Sequence, residues 1–472
     1  MNYITPDSEI KKLFTSLESN SKITGLKVKN EAIYSMFRYH LEIIVRIAYS
    51  EVINKIEQKE KKPVSSGSSY QSNIIQRIKT RVNRKLYYSQ FDNLADFQGN
   101  PKVIFVATSP QVNHKNHSIE LEDLIFDCNQ KKIANGFVLP EYNFTIKRNK
   151  GIHLKNYFAL NEYSDNQIQF SEDDLNNLEL FKQLVCSVIK FITPKDLTGL
   201  NGVVAWQLKN AAALQRILRV VKPTAVVARS LYSDKWVVMA ANREQIQTIE
   251  VQHGVFTKDN FYFHSLSNLS LNELLVPTKI LCLGNEWLSV LRKQDQYWTK
   301  LNSATVGTKN FFENKRQDVS KPVFLIALQD LSVELFNFYD FMVKLIADNP
   351  EIYERYEVVI RPHPIDVDSN QIRNTKLKNC RISYYNQESV ASILSKANVL
   401  LTASSMMLYE AQALNVTAVS LEQYRYLTIE KNILFLEGTS NFIQKLEQFE
   451  QKKVRLEYLN MYDFNAFEQL AC

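Results

Sequence analysis

Apolar and polar positions recur along this chain in two different periods, and the change between them divides it. From about residue 31 to 61, Ile33, Met36, Phe37, Leu41, Ile44, Val45, Ile47 and Ala48 fall at helical spacing, which predicts one long helix. The Pro/Gly/Ser-rich stretch KKPVSSGSSYQSN ends it. Ile74, Ile75, Ile78, Val82 and Leu86 then repeat near i, i+4 with basic residues between them, predicting a basic amphipathic helix. After Asn100 the pattern becomes short β-rich runs alternating with helical ones. Residues 102–107, 224–228, 246–251 and 279–283 read as strands, with helices over 214–221, 234–243 and 286–292. Residues 302–322 read as a link. A second series follows, with strands over 323–327, 358–360, 382–385, 399–401 and 417–421. Its helices cover 333–348, 390–395 and the segment MMLYEAQAL behind Ser404-Ser405.

Strands joined by crossover helices form parallel sheets. The expected fold is therefore α/β, with two Rossmann-like lobes facing a central cleft and a helical N-terminal extension. The expected boundaries are 1–98 for the extension, 99–310 for the first lobe and 311–472 for the second lobe with its closing C-terminal helices. Ligands of such sheets bind at the carboxyl ends of the strands. A length of 472 residues suits two or three domains, and 45% apolar with 23% charged residues can bury a sizeable core.

Charge and glycine content change this picture in two places. The net charge of +7 is mild, but between Lys61 and Phe91 there is no acidic residue, while Lys61, Lys62, Arg77, Lys79, Arg81, Arg84 and Lys85 all fall there. This stretch, residues 61–91, either packs on its own domain with a solvated basic face or docks on an anionic membrane surface. Nucleic acid is not an expected partner, because no nucleic-acid module accompanies the basic residues. Only 11 glycines are present, with neither GxGxxG nor GxxxxGK[ST]. Phosphate must then be held by helix N-termini, hydroxyls and cationic side chains. Cys128, Cys186, Cys282, Cys380 and Cys472 are scattered singly, which fits a reducing cytoplasm without a disulfide framework or zinc cluster. No run approaches the length of a membrane span, and MNYITPDSEIKKLF lacks the apolar core of a secretory signal. The expected location is cytoplasmic, with peripheral attachment at the inner membrane face if the basic helix docks.

Four constellations sit at strand ends. In VVIRPHP, Pro362 and Pro364 fix a turn that is expected to push Arg361 and His363 outward as phosphate donors. In LLTASSMMLYEAQAL, the hydroxyls of Thr402, Ser404 and Ser405 lie at a helix mouth, and Glu410 further along is placed to accept from ribose hydroxyls. A plain serine cap is the simpler reading of that cluster. In Glu250-Val251-Gln252-His253-Gly254, a strand ends in a histidine suited to general-base work, and Gly254 is expected to permit a sharp turn. Glu250 orients His253 only if the strand bends, and otherwise pairs with a cation. Gln252 and Gly254 fall on the acceptor side. The fourth constellation, Ser109 and His114 with Thr108, Pro110 and His117, lines the acceptor side or is a polar loop. Asp366-Val367-Asp368 reads as surface, and no metal site is expected.

The order of these pieces resembles GT-B glycosyltransferases that build bacterial surface polysaccharides. His363-Pro364 and Ser404-Ser405 are similar in type, order and spacing to the HP and Ser-Ser/Ser-Thr motifs of bacterial sialyltransferases and polysialyltransferases, which hold a CMP donor. YEAQALNVTAV looks like the donor helix and following strand of the fold. Those enzymes carry their base in an acidic motif, whereas Gln252-His253-Gly254 is closer to the glycerol- and ribitol-phosphate polymerases of teichoic-acid synthesis. KDO-type capsule transferases are a related possibility.

The resemblance implies transfer of a CMP-activated acidic sugar (sialic acid- or KDO-like) to a glycan or lipid-linked glycan, without a metal or cofactor and with His253 as base. Its alternative is a CDP-activated polyol phosphate. Two rivals stand beside it: a sugar-nucleotide epimerase, and a catalytically silent capsule-assembly partner.

Overall fold

The computed structural model describes residues 6–57, 102–106, 119–139, 157–159, 168–256, 262–308, 316–328, 338–363, 379–384, 388–403, 405–427, 432–450 and 459–471. The basic segment 61–91, its linker, the fourth constellation with Ser109 and His114, Pro364, the Asp366–Asp368 triplet and Ser404 all lie outside these residues.

Two parallel sheets dominate. A two-residue bridge, β1 (Lys27–Val28) with β2 (Glu31–Ala32), precedes them. The first sheet contains β3 (Val103–Val106), β4 (Asn135–Leu139), β5 (Tyr157–Ala159), β6 (Ala225–Ala228), β7 (Gln247–Val251), β8 (Lys279–Cys282) and β9 (Ser303–Thr305). The order is β5-β4-β3-β6-β7-β8-β9, and every pairing is parallel. The second sheet contains β10 (Val323–Ala327), β11 (Glu357–Arg361), β12 (Cys380–Ile382), β13 (Ala397–Leu401), β14 (Thr417–Leu421) and β15 (Ile433–Leu436). Its order is β12-β11-β10-β13-β14-β15, again all parallel. In both sheets the chain runs outward over three strands and then returns to the other side of the first. That is the doubly wound order, so the two Rossmann-like, GT-B-like lobes are present.

The strands are short apolar runs because both faces are covered. Side chains alternate between the two covers with period two. In β3, Val103 and Phe105 join one core while Ile104 and Val106 join another. In β10, Val323, Leu325 and Ala327 face inward to a core shared with the first lobe, and Phe324 and Ile326 face the outer one. The shared core makes the lobes one packed body across that face.

Four sequence expectations change. The N-terminal helices Pro6–Glu18 and Ile33–Glu57 are not an appended extension: Phe14, Leu17, Phe37 and Leu41 share a core with Phe181 and Leu214. A buried ion pair locks them in place. Arg38 donates to Glu18 through Nε (2.9 Å) and Nη2 (2.6 Å) and also reaches the carbonyl of His264 (3.1 Å). The second-lobe boundary also shifts. Helix Phe464–Ala471 returns to the first lobe, where Phe467 stacks on Phe105 and Lys279 donates to the carbonyl of Leu470 at 2.6 Å. The 302–322 link contains an edge strand, β9. Finally, the helix expected over 214–221 begins at Leu200, and helix Glu172–Val188 starts from a Ser171–Asp174 capping box. No described helix is long and apolar enough to cross a membrane.

Candidate functional site

The second lobe reverses its strand order between β10 and β13, the kind of point at which doubly wound sheets bind ligands. Arg361 is the last residue of β11 and does not swing outward as the turn predicted. It is 5% exposed, because the alternation of β11 directs it inward. Its Nη2 donates to the Glu388 carbonyl at 3.0 Å, whereas its Nη1 is buried with no partner. Burial lowers its pKa, and the nearby Glu388 and Glu410 carboxylates act in the opposite sense. A guanidinium stays charged in any case. Thr402 follows β13 directly. Its backbone N–H donates to the Val419 carbonyl at 3.1 Å, and its Oγ1 is also buried without a partner. The Ser420 hydroxyl donates to the Ala403 carbonyl and holds this strand end against β14.

The helix behind this strand end spans Met407–Ala413, only seven residues. The Ser405 Oγ accepts from the Met407 N–H at 3.2 Å, so this hydroxyl caps its own helix. Glu410 is half-buried and close enough to Arg361 for its carboxylate to favour the guanidinium's charged form. Pro362 is buried and His363 half-buried beside it. Arg361, Glu388 and Glu410 thus come together, with Thr402 on the far side of β10.

In the first lobe the order reverses between β3 and β6. Arg229, which the sequence reading missed, directly follows β6, and its Nη2 lies against His253 Nδ1. Burial pulls the His253 pKa well below the ordinary value, and the Arg229 cation pulls in the same direction. With Nδ1 set against a guanidinium, which can only donate, the neutral ring has no lone pair at Nε2 to take a proton, and this does not fit the expected general base. Glu250 is buried and does not orient His253. Its carboxylate accepts from the Ser230 N–H (2.9 Å) and the Leu231 N–H (2.7 Å), at a loop where Ser230 has φ +59°. Burial pushes its pKa up to about 8, against those two amides and the Arg229 and Lys235 charges.

Gln252 is fully buried and has no acceptor-side surface. Its Oε1 accepts from Leu283 N–H and its Nε2 donates to the Gly254 carbonyl, both at 2.9 Å. Gly254 is not required by the turn: its φ is not positive, and a Cβ there would meet nothing within 4 Å. Beside this corner Tyr232 stacks on Tyr262 (4.8 Å, 12°), with Tyr39 edge-on to both at 5.1 and 5.6 Å. The motif signal for Arg229 was present, since VVARS ends a predicted strand in a cation. Tyr39 and Tyr262 come from distant segments and had no such signal.

The two carboxyl edges face each other. Helix Asn285–Gln294 begins at the carboxyl end of β8, and helix Met407–Ala413 at that of β13. Trp287 of the first packs edge-on against Tyr409 of the second, with ring centroids 4.6 Å apart and both rings fully buried. Around the junction, Gly307 adopts φ +69° where its chain crosses Asn460 and Met461.

No family model matches the chain, and no curated protein matches it in sequence. Solved structures similar to it include the UDP-GlcNAc 2-epimerase from Neisseria meningitidis bound to UDP-GlcNAc. That pair has 12% identity, covers 78% of this chain and 97% of that one, and gives a TM-score of 0.48. The UDP-GlcNAc 2-epimerase from Methanocaldococcus jannaschii, in complex with UDP-GlcNAc and UDP, has 14% identity, the same coverages and a TM-score of 0.47. The lipopolysaccharide outer core galactosyltransferase WaaB has 13% identity, covers 78% and 98%, and gives 0.41. Overlap of this degree leaves function to be argued from the site's own groups.

Proposed function

We propose that this chain is a glycosyltransferase that holds a nucleotide-activated sugar in its second lobe and passes the sugar to an acceptor hydroxyl at the edge of the first. The observation that carries this reading is the pair of unpartnered buried groups, Arg361 Nη1 and Thr402 Oγ1, on either side of the β10 carboxyl end. Leaving a buried donor unmade costs about 1–3 kcal/mol, and more for a charged one. Such groups persist where a ligand completes them. A cation and a hydroxyl at the switch point of a doubly wound sheet suit a phosphate. Glu410, near Arg361, suits a ribose hydroxyl.

In this reading the acceptor hydroxyl attacks the activated carbon, the bond from that carbon to the nucleotide's phosphate oxygen breaks with inversion, and the hydroxyl proton passes to the departing phosphate or to solvent. The charge building on that phosphate is met by Arg361 and Thr402, with His363 and Ser405 at the margin. This arrangement does not call on a metal. The paired His363 and Ser405 motifs favour a CMP-linked acidic sugar over a CDP-linked polyol. The acceptor-proton role first expected of His253 is given up.

A thermal-shift panel with CMP, CDP and UDP tests the donor, with CMP expected to raise the melting temperature most. Silence toward every nucleotide would sink the enzyme reading in favour of a non-catalytic assembly partner. Interconversion of a free sugar nucleotide with no acceptor present would replace transfer by epimerisation.

A further inference from the structure

We infer that Arg229 is a positioning residue that fixes His253 as its Nε2–H tautomer, so that the imidazole meets a substrate oxygen as a hydrogen-bond donor. The functional meaning rests on the proposal that this corner belongs to the site. The tautomer itself follows from the contact alone.

Arg229 Nη2 lies against His253 Nδ1. A guanidinium carries only N–H donors and keeps its protons at any ordinary pH. Nδ1 must therefore offer its lone pair. A neutral imidazole has one N–H, which is left for Nε2. The doubly protonated ring would set N–H against N–H and cation beside cation. This inverts the arrangement in which a carboxylate takes Nδ1–H and frees Nε2 to accept a proton. A neutral imidazole used as a donor is an established way to polarise a substrate oxygen without a full charge.

The contact is built into the frame. Arg229 and His253 follow the neighbouring parallel strands β6 and β7, which pair from Ala225↔Gln247 to Ala228↔Glu250. Glu250 holds the loop after Arg229 through the Ser230 and Leu231 amides. Gln252 holds the segment bearing His253 to Leu283 on one side and Gly254 on the other. Neither partner can drift without breaking a buried hydrogen bond. Among the described residues, the titratable groups around the corner are Arg229, Glu250, Lys235, Tyr232, Tyr39 and Tyr262. Of these, only Arg229 touches the ring in a described contact.

The test is ¹⁵N-histidine NMR of the full chain, whose seven histidines keep the spectrum tractable. His253→Gln assigns the signal by its loss. The wild type is expected to show the Nε2–H pattern and to stay neutral well below the ordinary histidine range. Arg229→Met is expected to mix the tautomers and raise the His253 pKa by at least about one unit. Arg229→Lys keeps a cationic donor and is expected to keep the Nε2–H form, which separates a tautomer effect from a folding defect. An Nδ1–H pattern in the wild type, or a His253 signal indifferent to both substitutions, would overturn the inference. No substrate is needed, so a failed nucleotide panel leaves this result standing, and the reverse also holds.

Discussion

The two lobes end their sheets at the same kind of place but pair their polar groups to different degrees. At the β6–β7 corner, Glu250 takes two backbone amides, Gln252 uses both ends of its amide, and Arg229 rests on His253 through Nη2, although its Nε makes no hydrogen bond. At the β11–β13 corner, Arg361 Nη1 and Thr402 Oγ1 are equally buried and unpartnered. A satisfied buried network fixes geometry and stability; an unsatisfied one holds binding capacity that the protein leaves unused. The first corner therefore reads as pre-set architecture around one imidazole, and the second as the grip.

The comparison breaks most visibly at Glu250. Glu250→Ala strands two buried amides and is expected to cost about 2–4 kcal/mol in denaturant unfolding at neutral pH. Glu250→Gln keeps an acceptor and should cost less. It also isolates a pH effect. The folded state holds the Glu250 proton up to about 8, while the unfolded chain releases it in the ordinary carboxylate range. Folded molecules thus bind more protons between those values, and wild-type stability falls as pH rises through that window. Lys235, lowered to about 7 by burial, works in the opposite sense only above that value. Histidines held low by burial, such as His253, add the same contribution to both proteins, so between about pH 5 and 7 the wild-type slope should be more negative than that of Glu250→Gln; equal slopes would mean Glu250 is ionised throughout.

Next in size comes a contrast between two glycines. Gly307→Ala places a Cβ 2.2 Å from the Met461 carbonyl at φ +69° and is expected to cost roughly 2 kcal/mol or more. Gly254→Ala meets open space and should stay within about 0.5 kcal/mol. A large loss at Gly254 would restore the sharp-turn role that the motif suggested. Between these in effect, Thr402→Val removes an unpartnered hydroxyl at nearly constant volume. It should leave unfolding stability level or slightly raised while weakening nucleotide binding about fivefold.

Much of the fold was legible because parallel strands covered on both faces are short apolar runs with helices between them. Strands 323–327 and 417–421 were read to the residue, and each other strand that was read matched to within a few residues. The edge strands β5, β9 and β15 were not read, because an edge lacks the dense apolar signature of a central strand, and β4, one place in from the β5 edge, was missed with them. Residues 6–57 looked like an extension because their partners, such as Phe181 and Leu214, are far along the chain. At the site, the strand ends bearing Arg361, Thr402 and His253 could be located from the motifs, but not the directions of the side chains. Arg361 turns inward by strand alternation, and Gln252 is consumed by backbone groups that no local pattern reveals. Arg229 was visible as a cation at a strand end; its partner was not, since the pairing depends on β6 lying beside β7.

In the proposed site, Arg361 is kept buried for a ligand rather than for the fold. The direct measurement of this is the unfolding stability of wild type and Arg361→Met, each with and without CMP. The ligand-free variant is expected to be as stable as the wild type or more so, because a buried charge with an unmade bond has been removed. The CMP-induced stabilisation is expected to disappear. A variant that is markedly destabilised on its own, yet still stabilised by CMP as the wild type is, would contradict this role.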